Sequence, residues 1–384
     1  EFQGAGVCID NDNGKVIAVV GGRSQSSITG YTFNRAYQSY RQPGSAIKPI
    51  AVYAPAFDNG YDATDIIKDE PIKDGPKNSN GRYMGNISLR TAVEYSVNTV
   101  AWKLFSELTP KKCLNYLIDM NFSKLVSEDY TLASSLGGIT NGVSPIEMAS
   151  AYAAIENKGV FREPTCIMAI TDSEGNEVVT DDIFDEKRIY DKDAAMMMTD
   201  VLRGVLTKGT ARGYELDGMS CAGKTGTTNE HKDGWFAGYT PYYTTVIWVG
   251  CDTPKSIDNL LGNTYPLYIW NAYMNQIHEG LENEEFERSE SSEPVHYNTK
   301  EPKETEVPDD YIDEDEDNDD DNQDYEITQP PENDFVPQNP VTEAPVVTEA
   351  PKITEAPVIT ATPVPDVPAA TDAVQPQSAE DEQV

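Results

Sequence analysis

The 384-residue sequence predicts an α/β sandwich whose sheet gathers strands from both ends of the chain around an inserted helical region. Three observations carry that expectation. Apolar runs on either side of Asn11-Asp12-Asn13-Gly14 form two strands joined by an Asn-Gly turn. A long, mainly helical stretch follows, with apolar residues at the spacing of a helix face. Three strand-like runs and a closing helix then complete the ordered part.

Taken in order, Gly6 to Val20 forms the first hairpin, closed by Gly21-Gly22. Pro43-Gly44 precedes Ser45, and Ile47, Ile50, Ala51 and Ala54 recur at helical spacing, which puts Ser45 at or near a helix N-terminus. A second helical pattern runs from Leu89 to Leu108 and carries Ser96 and Asn98 near its middle or at a break. Ser144-Pro145-Ile146-Glu147 supplies an N-cap, a proline at the first helical position and a capping-box glutamate. That helix ends near Asn157-Lys158-Gly159. A hairpin from Val160 to Thr180 is expected to turn at Ser173-Glu174-Gly175-Asn176. Asp191 to Leu206 is helical, with Ala194, Met197, Val201, Leu202 and Val205 as its apolar positions. Met219 to Thr227, Gly234 to Tyr239 and Thr244 to Cys251 are strands, and Leu267 to about Ile277 is the last helix.

Charge divides the chain. The net charge is −36, and the segment from Glu287 to Val384 holds 28 acidic against 4 basic residues. That segment is rich in Pro, Asp, Glu and Thr and poor in large apolar side chains, so it cannot offset its own ordering entropy. Residues 287–384 are therefore expected to be a disordered tail. Pro308 to Glu326 is a nearly continuous acidic block. Thr-Glu-Ala-Pro recurs at Thr342–Pro345, Thr348–Pro351 and Thr354–Pro357, with a degenerate copy at Thr360–Pro363, which reads as an extended, semi-rigid spacer. Residues 1–286 are long enough to bury one core.

Composition also excludes several functions. An acidic chain with no basic stripe argues against nucleic acid as a partner. No apolar run reaches the roughly 18 residues that a membrane-spanning helix needs. Cys8, Cys113, Cys166, Cys221 and Cys251 form no Cys-x-x-Cys pair and read as buried thiols. His231, His278 and His296 are scattered, so no metal and no cofactor is expected. The chain opens Glu1-Phe2-Gln3 and enters a strand at once, as a piece of a longer protein would.

Three motifs carry the chemistry: Ser45-Ala46-Ile47-Lys48, Ser96-Val97-Asn98 and Lys224-Thr225-Gly226-Thr227. Each is common by itself. Ser45 and Lys48 are three residues apart on one helix, so their side chains share a face. A serine hydroxyl is a weak nucleophile until a base takes its proton, and a lysine serves as that base only when burial or a second cation lowers its pKa. Ser96 can relay a proton and Asn98 can hold a substrate backbone. On a strand, Lys224 and Gly226 face one way and Thr225 and Thr227 the other. Gly226 would let a ligand backbone come close, and the lysine and threonines would meet a carboxylate. His231, in a turn beside this motif, could also touch substrate.

With the three motifs in this order, residues 1–286 resemble the transpeptidase domain of class A, high-molecular-weight penicillin-binding proteins. The likeness extends to Phe33-Asn34-Arg35-Ala36, Arg41-Gln42-Pro43-Gly44, Leu136-Gly137-Gly138, Gly142-Val143-Ser144-Pro145, Gly209-Thr210-Ala211-Arg212 and the run from Asp233 to Pro241. The resemblance implies a penicillin-binding-protein/β-lactamase-like sandwich, a five-stranded antiparallel sheet flanked by helices. It implies a D,D-transpeptidase that cross-links peptidoglycan stem peptides ending in D-Ala-D-Ala and that β-lactams inhibit. Ser45 would be the nucleophile, Lys48 the base, Ser96 the relay and Lys224 the cation that lowers the pKa of Lys48. Asn98, Thr225, Gly226 and Thr227 would bind substrate. A D,D-carboxypeptidase and a non-catalytic β-lactam-binding or wall-tethering module remain as alternatives. The resemblance further implies a bacterial cell-envelope location outside the cytoplasm. There the parent chain would carry a plasma-membrane anchor and a glycosyltransferase domain, both absent from this sequence. The Glu-x-x-Leu-Asn segment of class A β-lactamases has no equivalent. Its nearest string, Lys111-Lys112-Cys113-Leu114-Asn115, begins with lysine, which disfavours efficient β-lactam hydrolysis.

Overall fold

The first hairpin forms as its Asn-Gly signal requires. Strands β1 (Phe2–Asp10) and β2 (Val16–Val20) pair antiparallel. Between them Gly14 takes a positive φ of 72°. The Asp10 carboxylate accepts the Asp12 N–H (3.0 Å) and a proton of the Asn13 amide (3.0 Å), which holds the turn. A computed structural model describes residues 1–23, 32–179 and 186–288.

The segment after Pro43 winds in three ways. A 3₁₀ turn (Gly44–Ile47) leads into a π-helical turn (Pro49–Tyr53) and then α1 (Ala54–Asp58). The helical spacing of the apolar residues is as predicted, whereas a regular α-helix is not what forms. Pro49 has no N–H to donate to the turn before it, so the regular ladder is interrupted there. Tyrosine hydroxyls from elsewhere hold this irregular stretch: Tyr152 donates to the Ala46 carbonyl and Tyr190 to that of Ile50, both at 2.6 Å.

A two-stranded ribbon that the sequence pattern did not disclose follows, β3 (Ile66–Asp69) with β4 (Gly85–Ser88). The predicted 89–108 helix is two: α2 (Leu89–Glu94) and α3 (Asn98–Leu108). Ser96 lies in the break with φ 57°. Next come α4 (Pro110–Asp119), also unforeseen, and α5 (Pro145–Glu156). The capping box of α5 is fully formed, with Ser144 Oγ accepting the Glu147 N–H (3.4 Å) and the Glu147 carboxylate accepting the Ser144 N–H (2.8 Å).

The expected 160–180 hairpin is corrected. Strand β5 (Val160–Arg162) pairs with β8 (Glu186–Arg188), while the 173–176 turn joins only the short β6 (Ile170–Thr171) and β7 (Glu177–Val179). Pro164 cannot donate to a ladder, and the chain beyond it turns aside so that the Thr165 carbonyl accepts the Val16 N–H at 2.8 Å.

Helix α6 (Lys192–Thr207), strands β9 (Ala222–Thr227), β10 (Asp233–Tyr239) and β11 (Tyr243–Cys251), and helix α7 (Tyr265–Ile277) complete the fold. The main sheet runs β2-β1-β11-β10-β9, and every neighbouring pair is antiparallel. Both chain ends thus contribute strands to it, as predicted. Alternation along β10 assigns the two faces. Phe236 meets Trp270 of α7 at 4.8 Å between ring centroids, whereas Tyr239 meets Tyr152 of α5 at 6.5 Å and bonds Thr199 of α6 at 3.0 Å. Helix α7 therefore covers one face and the larger helical layer the other.

All five cysteines are free thiols; four are buried and Cys166 is exposed. Phe286 packs edge-on against Tyr239 at 5.6 Å, and Glu287 pairs with Lys192 (2.5 Å) and Lys158. The predicted tail, with its acidic block and Thr-Glu-Ala-Pro repeats, lies outside the described residues beyond Arg288.

Candidate active site

Two glycines let the Ser45 turn lie directly against strand β9. A Cβ on Gly44, whose φ is +54°, would stand 2.4 Å from the Thr227 carbonyl oxygen. One on Gly226 would stand 2.4 Å from the Pro43 carbonyl oxygen and 2.9 Å from Ala46 Cβ. The close approach that Gly226 permits here is that of the chain's own Pro43–Ala46 segment, where the sequence suggested a ligand backbone. Gly226 and Lys224 thus face the helical layer.

The lead-in to Ser45 is held just as firmly. Arg41 Nε donates to Asp233 Oδ1 (2.7 Å), Trp248 Nε1 donates to the same oxygen (2.9 Å), and Trp235 Nε1 donates to the Gln42 carbonyl (2.9 Å). The Arg41-Gln42-Pro43-Gly44 and Asp233–Pro241 stretches, far apart in sequence, are therefore bonded to each other.

Ser45 is half-buried at the start of the 3₁₀ turn, and the Lys48 N–H donates back to the Ser45 carbonyl. Lys48 is wholly buried. Its Nζ donates to the Ser96 carbonyl and to Asn98 Oδ1, both at 2.7 Å, and lies 3.4 Å from Ser96 Oγ. The positive φ at Ser96 breaks the helix so that carbonyl and hydroxyl both reach Lys48. Lys224, also wholly buried, donates to Ser96 Oγ at 2.8 Å. One hydroxyl thus sits between two amines.

Burial holds the Lys48 amine well below the ordinary lysine value, and the Lys224 charge depresses it further. Burial lowers Lys224 to about 7. Lys224 can therefore exchange protons near neutral pH.

The remaining predicted site residues gather along the same strand. Thr225 Oγ1 lies 2.8 Å from Thr210 Oγ1, and Thr227 Oγ1 accepts the Gly262 N–H at 2.9 Å. His231 occupies an exposed turn after β9, its Nδ1 3.1 Å from the Leu260 carbonyl. Lys111-Lys112-Cys113-Leu114-Asn115 lies on α4, where Cys113 and Leu114 are buried. Thr210, whose N–H donates to the Glu94 carbonyl at 3.1 Å, lies in the Gly209–Arg212 stretch of the likeness, from which no site role was read. Asn78, whose Oδ1 accepts the Asn98 N–H at 2.9 Å, is a site neighbour that the motifs did not reveal; its 20-residue distance from Asn98 left no local signal.

A five-stranded antiparallel sheet between helical layers, with serine–lysine, serine–asparagine and lysine–threonine–glycine segments meeting at β9, defines the penicillin-binding-protein/β-lactamase-like class. The family model described as "Penicillin binding protein transpeptidase domain" matches residues 4–263. The chain belongs to that family. It is 35% identical over 276 residues to Penicillin-binding protein 4 of Bacillus subtilis (strain 168), covering 70% of this chain and 43% of that protein. It is 34% identical over 315 residues to Penicillin-binding protein 1A of Aquifex aeolicus (strain VF5), covering 78% of this chain and 41% of that protein. The crystal structure of Penicillin-Binding Protein 1A from Haemophilus influenzae matches with a TM-score of 0.65 at 27% identity, over 74% of this chain and 49% of that one. The PonA1 protein from Mycobacterium tuberculosis in complex with penicillin V matches with a TM-score of 0.63 at 26% identity, over 75% of this chain and 81% of that one. The chain spans about two fifths of the length of these two curated relatives.

Proposed function

We propose that residues 1–286 are a serine D,D-transpeptidase domain that cross-links peptidoglycan stem peptides through an acyl-enzyme. The observation that carries this reading is the pair of wholly buried lysines meeting at the Ser96 hydroxyl, one of which, Lys48, follows the half-buried Ser45 by one helix turn. Neutral Lys48 takes the Ser45 proton as Oγ attacks the carbonyl of the penultimate D-Ala. Backbone N–H groups of Ser45 and Thr227 receive the developing oxyanion. Ser96 passes the proton to the leaving nitrogen, and the terminal D-Ala departs as the ester forms at Ser45. The amine of a second stem peptide then attacks that ester, making the cross-link and returning the proton to the site.

Lys224, Thr225 and Thr227 hold the terminal carboxylate, or that of a β-lactam, while Asn98 orients the substrate backbone. The glycine in this motif keeps β9 against the Ser45 turn. Such a domain works outside the cytoplasm on the bacterial cell wall, held at the plasma membrane by a segment of its parent chain. The residues beyond Arg288 act as a spacer.

A fluorescent penicillin tests the acyl-enzyme. It is expected to label the wild-type chain covalently and to leave Ser45→Ala unlabelled; an unlabelled wild-type chain overturns the reading. Mass spectrometry of products from a donor and an acceptor stem peptide is expected to show the cross-linked dimer. Free D-Ala without dimer would make the chain a D,D-carboxypeptidase instead.

A further inference from the structure

The β3–β4 ribbon reaches the site through one buried side chain. Asn78, in the loop at 70–84, sends its Oδ1 to the start of α3, where it accepts the N–H of Asn98 (2.9 Å) and of Thr99 (3.4 Å). The N-cap residue of α3 is Val97, which has no side-chain oxygen for that task, so Asn78 caps the helix from outside. Asn78 Nδ2 donates to both Asp69 oxygens (2.8 and 3.0 Å) and to the Arg82 carbonyl (2.9 Å). Asp69 is buried and also accepts the Thr99 hydroxyl (2.5 Å) and the Met84 N–H (2.8 Å).

The residue beside Asn78 sets the direction of the Asn98 amide. The Lys77 carbonyl accepts Asn98 Nδ2 at 2.8 Å. A carbonyl can only accept, so it draws the NH₂ end of that amide toward the loop. Oδ1 is left facing Lys48 Nζ at 2.7 Å. The loop thus decides which end of Asn98 the lysine meets.

We infer that Asn78, held by Asp69, is a positioning residue for acylation: it fixes the first turn of α3 and the Lys77 carbonyl, and through them the Asn98 amide that orients Lys48. The inference rests on the acyl-enzyme reading above. Asn78 acts through Asn98 and Lys77, so its loss should fall on the rate of acylation more than on penicillin affinity.

Charge exchange provides the test. Asn78→Asp keeps size and acceptor but sets a second carboxylate against Asp69, and two buried carboxylates repel. Asp69→Asn together with Asn78→Asp restores a donor–acceptor pair. The acylation rate constant at saturating fluorescent penicillin, the apparent affinity and the melting curve are measured for each chain. Asn78→Asp is expected to slow acylation at least about 10-fold with affinity little changed, the size of effect that small misplacements of reacting groups produce. The exchange pair is expected to recover much of that rate. An Asn78→Asp chain that acylates within about twofold of wild type overturns the inference. So does a slow preparation whose folded fraction acylates at the wild-type rate.

If Asn78→Asp does not fold, Thr99→Val preserves shape and removes only the hydroxyl donor to Asp69. It is read by the same two outcomes. Failure of the wild-type chain to acylate would strike the proposed function, whereas normal acylation in both the wild-type and variant chains strikes this inference alone.

Discussion

At the scale of single residues, the site depends on two lysines kept from water, and the cost should be visible in stability. Lys224 falls to about 7 in the folded chain from an ordinary value of 10.5. Between those values the unfolded chain binds more protons than the folded one, so stability rises with pH. Each unit contributes up to about 1.4 kcal/mol while Lys224 titrates. Glu156, raised by burial to about 8, opposes this below that pH, and Tyr53, also raised by burial, opposes it at high pH. Comparison with a variant separates them: unfolding free energy between about pH 7 and 9.5 should climb more steeply for wild type than for Lys224→Met. Equal slopes would show that Lys224 is protonated in the folded chain throughout.

Elements bring these residues together, and here the legible and the illegible separate. The hairpin turn, the α5 capping box and the face of α6 are local patterns, so they could be read from a few neighbouring residues. The three motifs were readable for the same reason. The asparagine that caps α3 lies 20 residues before the helix start it serves, and the pairing of β5 with β8 passes over a nearer candidate. Neither leaves a periodic trace. The winding at Ser45 was half legible: the apolar spacing pointed to a helix, while the 3₁₀ and π turns depend on Pro49 and two distant tyrosines. Gly226 was read as room for ligand, yet the turn carrying Ser45 lies against it. Gly226→Ala should therefore force β9 away from Pro43 and Ala46, lowering stability by about 1–3 kcal/mol. Penicillin labelling should drop far more than the folded fraction does. Full labelling would mean that the contact between turn and strand has slack.

For the whole molecule, the sheet unites strands from both ends of the folded part, and its last described contacts come after α7. Phe286 closes over Tyr239, and Glu287 joins Lys158, after α5, to Lys192 at the start of α6. The composition break at Glu287 marks a change in chemistry, while the contacts continue through that residue itself. We therefore place the functional boundary just beyond the strap that these residues form. A chain ending at Arg288 keeps the Phe286 and Glu287 contacts and should melt and acylate as the full chain does. A chain ending at Gly280 loses Phe286 as well as the Glu287 pairs. Phe286 is 9% exposed, so its removal should cost about 3 kcal/mol, with the half-exposed ion pairs adding less. That corresponds to a fall of several degrees in melting temperature for a domain of this size. Differential scanning calorimetry of the three chains decides it. If ending at Arg288 already lowers the melting temperature as far as ending at Gly280 does, the spacer itself supports the fold and the boundary lies further along the chain.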